Sequence, residues 1–243
     1  MYRIPPFLLI IALTIIGCGQ SSQNGNPGET RTYEDIKIAG EMKRVMWEGK
    51  LGSSIDLDSI SEKEGLFGLG PEIFLRGEIL INDGKSFVSR VTSDSTMSVI
   101  ETYDVSAPFM VYGNVREWTN HTLPEDVTTI SELEHYLDSV TSDFKRPFVF
   151  KLSGEISTAL IHVQNLPEGT EVSSPKEAHQ GQVNYPLTDG QVEIVGFFST
   201  EHQGIFTHHD SFLHMHLMTA DREKMGHLDE IEMKKMKVYL PVN

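Results

Sequence analysis

The sequence predicts an α+β fold built mostly on antiparallel sheet. Three observations carry this expectation. Short runs rich in β-branched and aromatic residues recur along the chain, separated by Gly, Pro, Asn and Asp. One strong hairpin signal, Asn82-Asp83-Gly84, joins two such runs. Few stretches have helical character, so helices interrupt the strands rather than alternate with them.

The chain opens Met1-Tyr2-Arg3, runs apolar from Phe7 to Ile16 and reaches Gly17-Cys18. A short positive start, an apolar stretch too short to span a bilayer and a small residue before cysteine have the form of a lipoprotein signal. Residues 1–17 are therefore expected to be removed, leaving Cys18 lipidated and the chain exported and tied to a membrane, facing either the periplasm or the outside. The alternative is an ordinary secretory signal with an incidental cysteine. Cys18 is the only cysteine of the 243 residues. No disulfide or thiolate metal site is then available, and any transition metal must use His, Asp or Glu. Residues 18–34 are polar, rich in Gly, Ser and Asn, and read as a flexible tether. The folded domain is expected over 35–243.

Residues 37–50 have apolar positions compatible with a short helix, with Gly52 as its stop. Ile73–Ile81 and Lys85–Val91 flank the Asp-Gly turn and read as strands, as do 96–101 and 108–112. Thr129-Ile130-Ser131-Glu132 has the form of a capping box. The helix after it carries Ile130, Leu133, Leu137 and Val140 as its apolar stripe. Phe148–Val163 reads as a hairpin or strand pair broken at Ser153-Gly154, and further strands are expected near 192–199, 212–219 and 236–242.

The formal net charge is −15, and removal of Arg3 with the signal makes it more negative still. Such a surface repels nucleic acid and anionic headgroups. There is no basic patch, no phosphate-cradling glycine loop and no internal repeat. Nucleic acid is excluded as a partner, and an anionic substrate must be attracted locally.

Six of the ten histidines lie between His202 and His227. His214 and His216 are two apart, so on a strand they share a face, about 7 Å apart at roughly 3.3 Å rise per residue. Two imidazoles on one face can share a metal, and a third returned by a turn, His227, leaves a fourth position open, as in catalytic rather than structural zinc sites. The competing reading is a pair of ordinary surface or core histidines. The flanking Ser211-Phe212-Leu213 and Leu217-Met218 favour a buried strand, where an unpartnered pair is costly. His202, His208 and His209 read as solvated loop residues. Glu78, in Arg76-Gly77-Glu78-Ile79-Leu80, either faces solvent on an alternating strand or serves as a carboxylate near the metal.

Taken in order, Gly68-Leu69-Gly70, Gly77-Glu78-Ile79 with Asn82-Asp83-Gly84-Lys85, Ala107-Pro108-Phe109, Val195-Gly196-Phe197, His214-Met215-His216-Leu217, Asp221-Arg222 and Gly226-His227-Leu228-Asp229 resemble the bacterial acetolactate decarboxylases over roughly residues 40–230. The C-terminal histidine stretch is the specific part. The resemblance implies two packed subdomains, Zn2+ on His214, His216 and His227, and Glu78 near the metal. It implies loss of CO2 from 2-acetolactate, or a close small-molecule 2-hydroxy-3-keto acid, to give acetoin. Dimers are common in the family, so a homodimer is an expected partner arrangement. In that chemistry zinc acts as the Lewis acid, Glu78 relays a proton, and Asp229 orients a ligand histidine.

The chain departs from the family at three places. His162 falls where the family has an active-site arginine, and is read as catalytic in its stead, with Arg76 and Lys151 as other cations able to replace it. Gly70-Pro71-Glu72 stands where the family has Gly-Thr-Phe. The sequence stops at Asn243, so a glutamate from the family's C-terminal tail is expected to be missing. A non-catalytic zinc-binding lipoprotein is the alternative reading.

Overall fold

Two antiparallel sheets, each assembled from runs that alternate buried side chains between two faces, make the fold. The computed structural model describes residues 1–2 and 36–242. Cys18 and the expected tether lie outside the described residues, as does nearly all of the signal. The chain divides into Met1–Thr30 and Arg31–Asn243, and the architecture is that of the second unit.

The chain enters through β1 (Lys37–Ala39) and α1 (Met42–Glu48). The expected helix is thus shorter than 37–50. It buries Met42, Val45 and Met46 at helical spacing, and Gly49, at φ 62°, stops it ahead of Gly52. After β2 (Ile55–Asp56) come β3 (Leu66–Pro71), β4 (Glu78–Asn82) and β5 (Lys85–Val91). The β4–β5 turn has Asp83 at φ 50° and Gly84 at φ 75°, the two left-handed residues a tight hairpin needs. The strand expected from Ile73 begins only at Glu78. Ile73–Leu75 is a 3-10 turn with Phe74 and Leu75 both at positive φ, which no strand accommodates.

Then follow β6 (Met97–Glu101), β7 (Ser106–Ala107), β8 (Met110–Asn114) and β9 (Trp118–Thr122). The first sheet has the order β1-β8-β3-β4-β5-β6, and β2 pairs with β7 alongside. Helix α2 (Ile130–Val140) starts on the expected capping box, with Thr129 and Glu132 satisfying each other's backbone N–H. Leu133 and Leu137 are buried, but Val140 is 42% exposed, so the stripe ends a turn earlier than the sequence suggested.

The second sheet holds β10 (Phe148–Val163), β11 (Val183–Phe198), β12 (Leu213–Thr219) and β13 (Met225–Pro241), with the short helix α3 (Pro175–Ala178) between β10 and β11. Strand β10 is one continuous strand, not a hairpin. At Gly154 its register against β13 slips in a bulge, where a Cβ would meet the Lys235 carbonyl at 2.1 Å. The C-terminal strands expected near 192 and 236 are the ends of the long β11 and β13. Because β10 pairs with both β11 and β13, these four strands close on themselves, and β9 adds to β13.

Inside this closed ring lie Phe148, Phe150, Ile161, Met215, Leu217 and Leu228, under α2. Its outer face carries Val149, Val195, Phe197 and Met218, which pack on Phe67, Leu69, Leu80 and Phe87 of the first sheet. Burial of each such side chain stabilises by roughly 1.5–3 kcal/mol. The functional site sits on this junction between ring and sheet. Among the described residues no helix is long and apolar enough to cross a membrane.

Candidate active site

Alternation along β12 sends Leu213, Met215 and Leu217 into the ring. The intervening His214 and His216 take the other face and point toward the first sheet. Cross-strand register then fixes the rest. His216 pairs with His227 of β13, and His227 pairs with His162 of β10. One row of imidazoles crosses three strands, with His214 two residues before His216 on the same face. Ring centroids are 5.1 Å apart for His214–His216 and for His214–His227, and 5.5 Å for His216–His227. One nitrogen from each of these three lies within 4.8 Å of the others. Gly226 permits the approach of β13 to β10, since a Cβ there would meet the His162 carbonyl at 2.4 Å.

The three imidazoles are buried and kept neutral. Burial, with neighbouring histidines adding to it, pushes His214 and His227 well below the usual range. Burial likewise brings His216 to about 3, helped by nearby His162 and opposed by a backbone contact to Ile79. That contact falls short of hydrogen-bond geometry, and both nitrogens of His216, with Nδ1 of His214, have no hydrogen-bond partner. Orphaned buried polar atoms are costly, and neutral imidazole lone pairs are the form that ligates metal. The donor set therefore fits a metal ion, with three nitrogens and an open side.

Glu78 does not face solvent. It shares the ring-facing side of β4 with Leu80, while Ile79 and Ile81 face the opposite way. It is 3% exposed, and its Oε2 lies 3.5 Å from His216 Nε2. Burial pushes the carboxyl well above its ordinary range, the charges of Asp229 and Glu72 act in the same direction, and a hydrogen bond from the Gln164 backbone N–H opposes them. A cation among the histidines would favour the carboxylate instead.

His162 is buried beside His227, with ring centroids 4.7 Å apart. Its Nδ1–H donates to both oxygens of Asp229 at 2.8 Å. Asp229 thus orients His162, not one of the three clustered histidines as expected. The tautomer assigned from this bond leaves Nε2 as an acceptor, 3.4 Å from the Gln164 amide nitrogen. Gln164 also donates its backbone N–H to Glu78 Oε1 at 3.3 Å, so one residue touches both groups. Sequence reasoning missed Gln164. Its signal was a polar residue two beyond His162, following the apolar Ile161 and Val163.

The pocket is lined by Glu78, His162, Gln164, His179, His208, His214 and His227, and by apolar residues including Met42, Leu75 and Phe109. His208 is not a solvated loop residue. It is half-buried, with its ring 5.5 Å from His227, and burial lowers its pKa, as it does for His179. His202 hydrogen-bonds Ser199 and stacks on Phe206, while His209 is exposed. Neither alternative cation reaches the pocket. Arg76 pairs with Glu168 at the surface, and Lys151 lies over the rings of Phe67, Trp118 and Tyr239. Pro71 lines the pocket, while Glu72 turns away to bind Arg90 through two hydrogen bonds.

This geometry can be set beside known proteins. No curated protein matches the chain. The fold is shared with the alpha-acetolactate decarboxylase of Bacillus subtilis strain 168, at TM-score 0.67 and 19% identity, covering 86% of each chain. It is shared with the acetolactate decarboxylase of Bacillus subtilis subspecies spizizenii at TM-score 0.69, 22% identity and 86% coverage of each. A Staphylococcus aureus protein described as similar to alpha-acetolactate decarboxylase gives 0.69 at 17% identity, covering 84% of each. The family model for alpha-acetolactate decarboxylase matches residues 41–242, which include Glu78, His162 and all three clustered histidines. The chain belongs to the alpha-acetolactate decarboxylase family.

Proposed function

We propose that this protein is a zinc-dependent carboxy-lyase that converts 2-acetolactate, or a close 2-hydroxy-3-keto acid, to acetoin and CO2. The observation that carries the reading is the cluster of three buried imidazoles, two of them with orphaned nitrogens, beside the buried Glu78. His214, His216 and His227 would hold the metal. When bound, it supplies a Lewis acid that draws the electrons released with CO2 toward the ketone.

The chain's own groups handle position and protons. Glu78 is placed to carry a proton to the carbon that loses CO2. The Gln164 backbone N–H fixes its Oε1. His162, aligned by Asp229, presents Nε2 toward the pocket where the family's arginine is expected. The apolar residues of the lining lower the local dielectric and so strengthen each of these interactions.

The altered cation favours one second reading, a zinc-binding protein without turnover. Zinc content and acetoin release, measured together on purified protein given racemic acetolactate, separate the two. Zinc near one per chain with acetoin supports the enzyme, zinc without acetoin supports the binding protein, and no zinc overturns both. The same proposal includes export with lipid on Cys18, supported by the pattern of residues 1–18, and a homodimer, supported by the family resemblance. The mass of the mature N-terminus and sedimentation check these.

A further inference from the structure

The apolar residues that line the pocket have their own support. Met42, Met46, Leu75 and Phe109 line the cavity and, with Val45, Leu166, Val172 and Ala178, form a small core distinct from the ring and the sheet. Leu75 is the unusual member. It is fully buried although it lies in a turn, and it follows Phe74 with both residues in the left-handed region, at φ 60° and 52°. Backbone strain of this kind persists only where surrounding structure over-determines it.

The surroundings do so here. Phe74 N–H donates to the Leu51 carbonyl at 2.9 Å, Leu75 N–H to the Glu72 carbonyl at 3.0 Å, and Leu166 N–H to the Leu75 carbonyl at 2.8 Å. Glu72 is clamped by Arg90 at 2.6 and 2.7 Å. Gly77 closes the turn where a Cβ would meet the Ser89 carbonyl at 2.5 Å. The result holds one leucine side chain in the cavity. The free space of the whole cavity is about 30 Å³, room for about one or two water-sized groups.

We propose that this apolar cluster seats the alkyl substituents of the substrate, and that Leu75 and Met46 restrict the substituent on the hydroxyl-bearing carbon to methyl. The proposal rests on the decarboxylase reading for its substrate class. The histidines, Glu78 and Gln164 suit the carboxylate, hydroxyl and ketone, which leaves the alkyl groups to Leu75, Met46 and Phe109. An added methylene meets a turn that cannot retreat without undoing its hydrogen bonds.

The full zinc-loaded protein is tested two ways, as wild type and as Leu75→Ala and Met46→Ala. In the first, 2-acetolactate and its 2-ethyl homologue compete for turnover. Wild type is expected to favour the methyl compound by about tenfold or more, and each variant to shift that ratio toward ethyl by about tenfold. In the second, binding of the inert acids 2-hydroxy-2-methylpropanoate and 2-ethyl-2-hydroxybutanoate is followed by calorimetry. Wild type should bind the methyl acid more tightly, and the variants should lose or reverse that order. Met46→Ala carries the test if Leu75→Ala fails to fold. An unchanged ratio and binding order in a folded, zinc-replete variant overturns the proposal, as does failure of the methyl acid to bind wild type. A wild type that forms no acetoin while the binding order still reverses sinks the decarboxylase reading and supports the alkyl seat.

Discussion

His162 faces His227 across the β10–β13 pair, and its Nδ1 is held by Asp229, two residues beyond His227 on the same strand. Strand β13 thus supplies both a clustered histidine and the carboxylate that orients its neighbour. Asp229→Asn keeps the shape but offers an amide, which can turn the imidazole to its other tautomer. The expected result is full zinc content with turnover lowered about 10–100-fold and a changed pH profile of kcat. An unaltered rate and profile would remove the pair from the mechanism.

His216 is fully buried with neither nitrogen hydrogen-bonded, which suits a metal ligand. His216→Ala should lose both zinc and activity. Chelation of the wild type should abolish acetoin release reversibly and lower its thermal unfolding temperature, because a metal that binds only the folded chain stabilises it. Stoichiometric zinc in the variant, measured by elemental analysis, would refute the ligand assignment.

Glu78→Gln is nearly isosteric and keeps the contact with Gln164 while removing the transferable proton. Zinc should stay in place and turnover should fall about 10²–10⁴-fold, the usual range for a positioned acid–base group. Unchanged turnover would take Glu78 out of the reaction.

The pH dependence of folding has a source remote from the pocket. Four hydrogen bonds from Thr128 and Thr129 hold the Glu132 carboxyl down at about 2, against an ordinary 4.5. A depressed carboxyl contributes fully above its unfolded value, and the contribution is lost as pH falls through the folded value. Stability should therefore decline between pH 4.5 and about 2 in part through this group. Denaturant unfolding of Glu132→Gln over that window should show a shallower slope, and an identical slope would count against it.

Much of the site could be read in advance because its geometry is local. His214 and His216 declare a shared face by their spacing, and the capping box at Thr129 and the turn at Asp83-Gly84 are local signals that formed as expected. What was not legible depends on distant strands. The pairing of His162 with His227 is a register between β10 and β13. Gln164 matters only because β10 ends beside Glu78. His208 looked like loop, but the chain folds it against His227. The turn at Phe74 and Leu75 violates the β pattern of its own sequence, and clamps from Leu51, Leu166 and Arg90 overrule it.

All three clustered histidines belong to one hairpin, β12 and β13, whereas Glu78 and His162 arrive on strands from elsewhere in the chain. A single contiguous stretch therefore carries the whole histidine cluster as a heritable unit. Each acid–base partner can drift separately through substitution on its own strand. Substitutions at Glu78 or His162 can therefore alter proton handling while leaving the histidine hairpin intact.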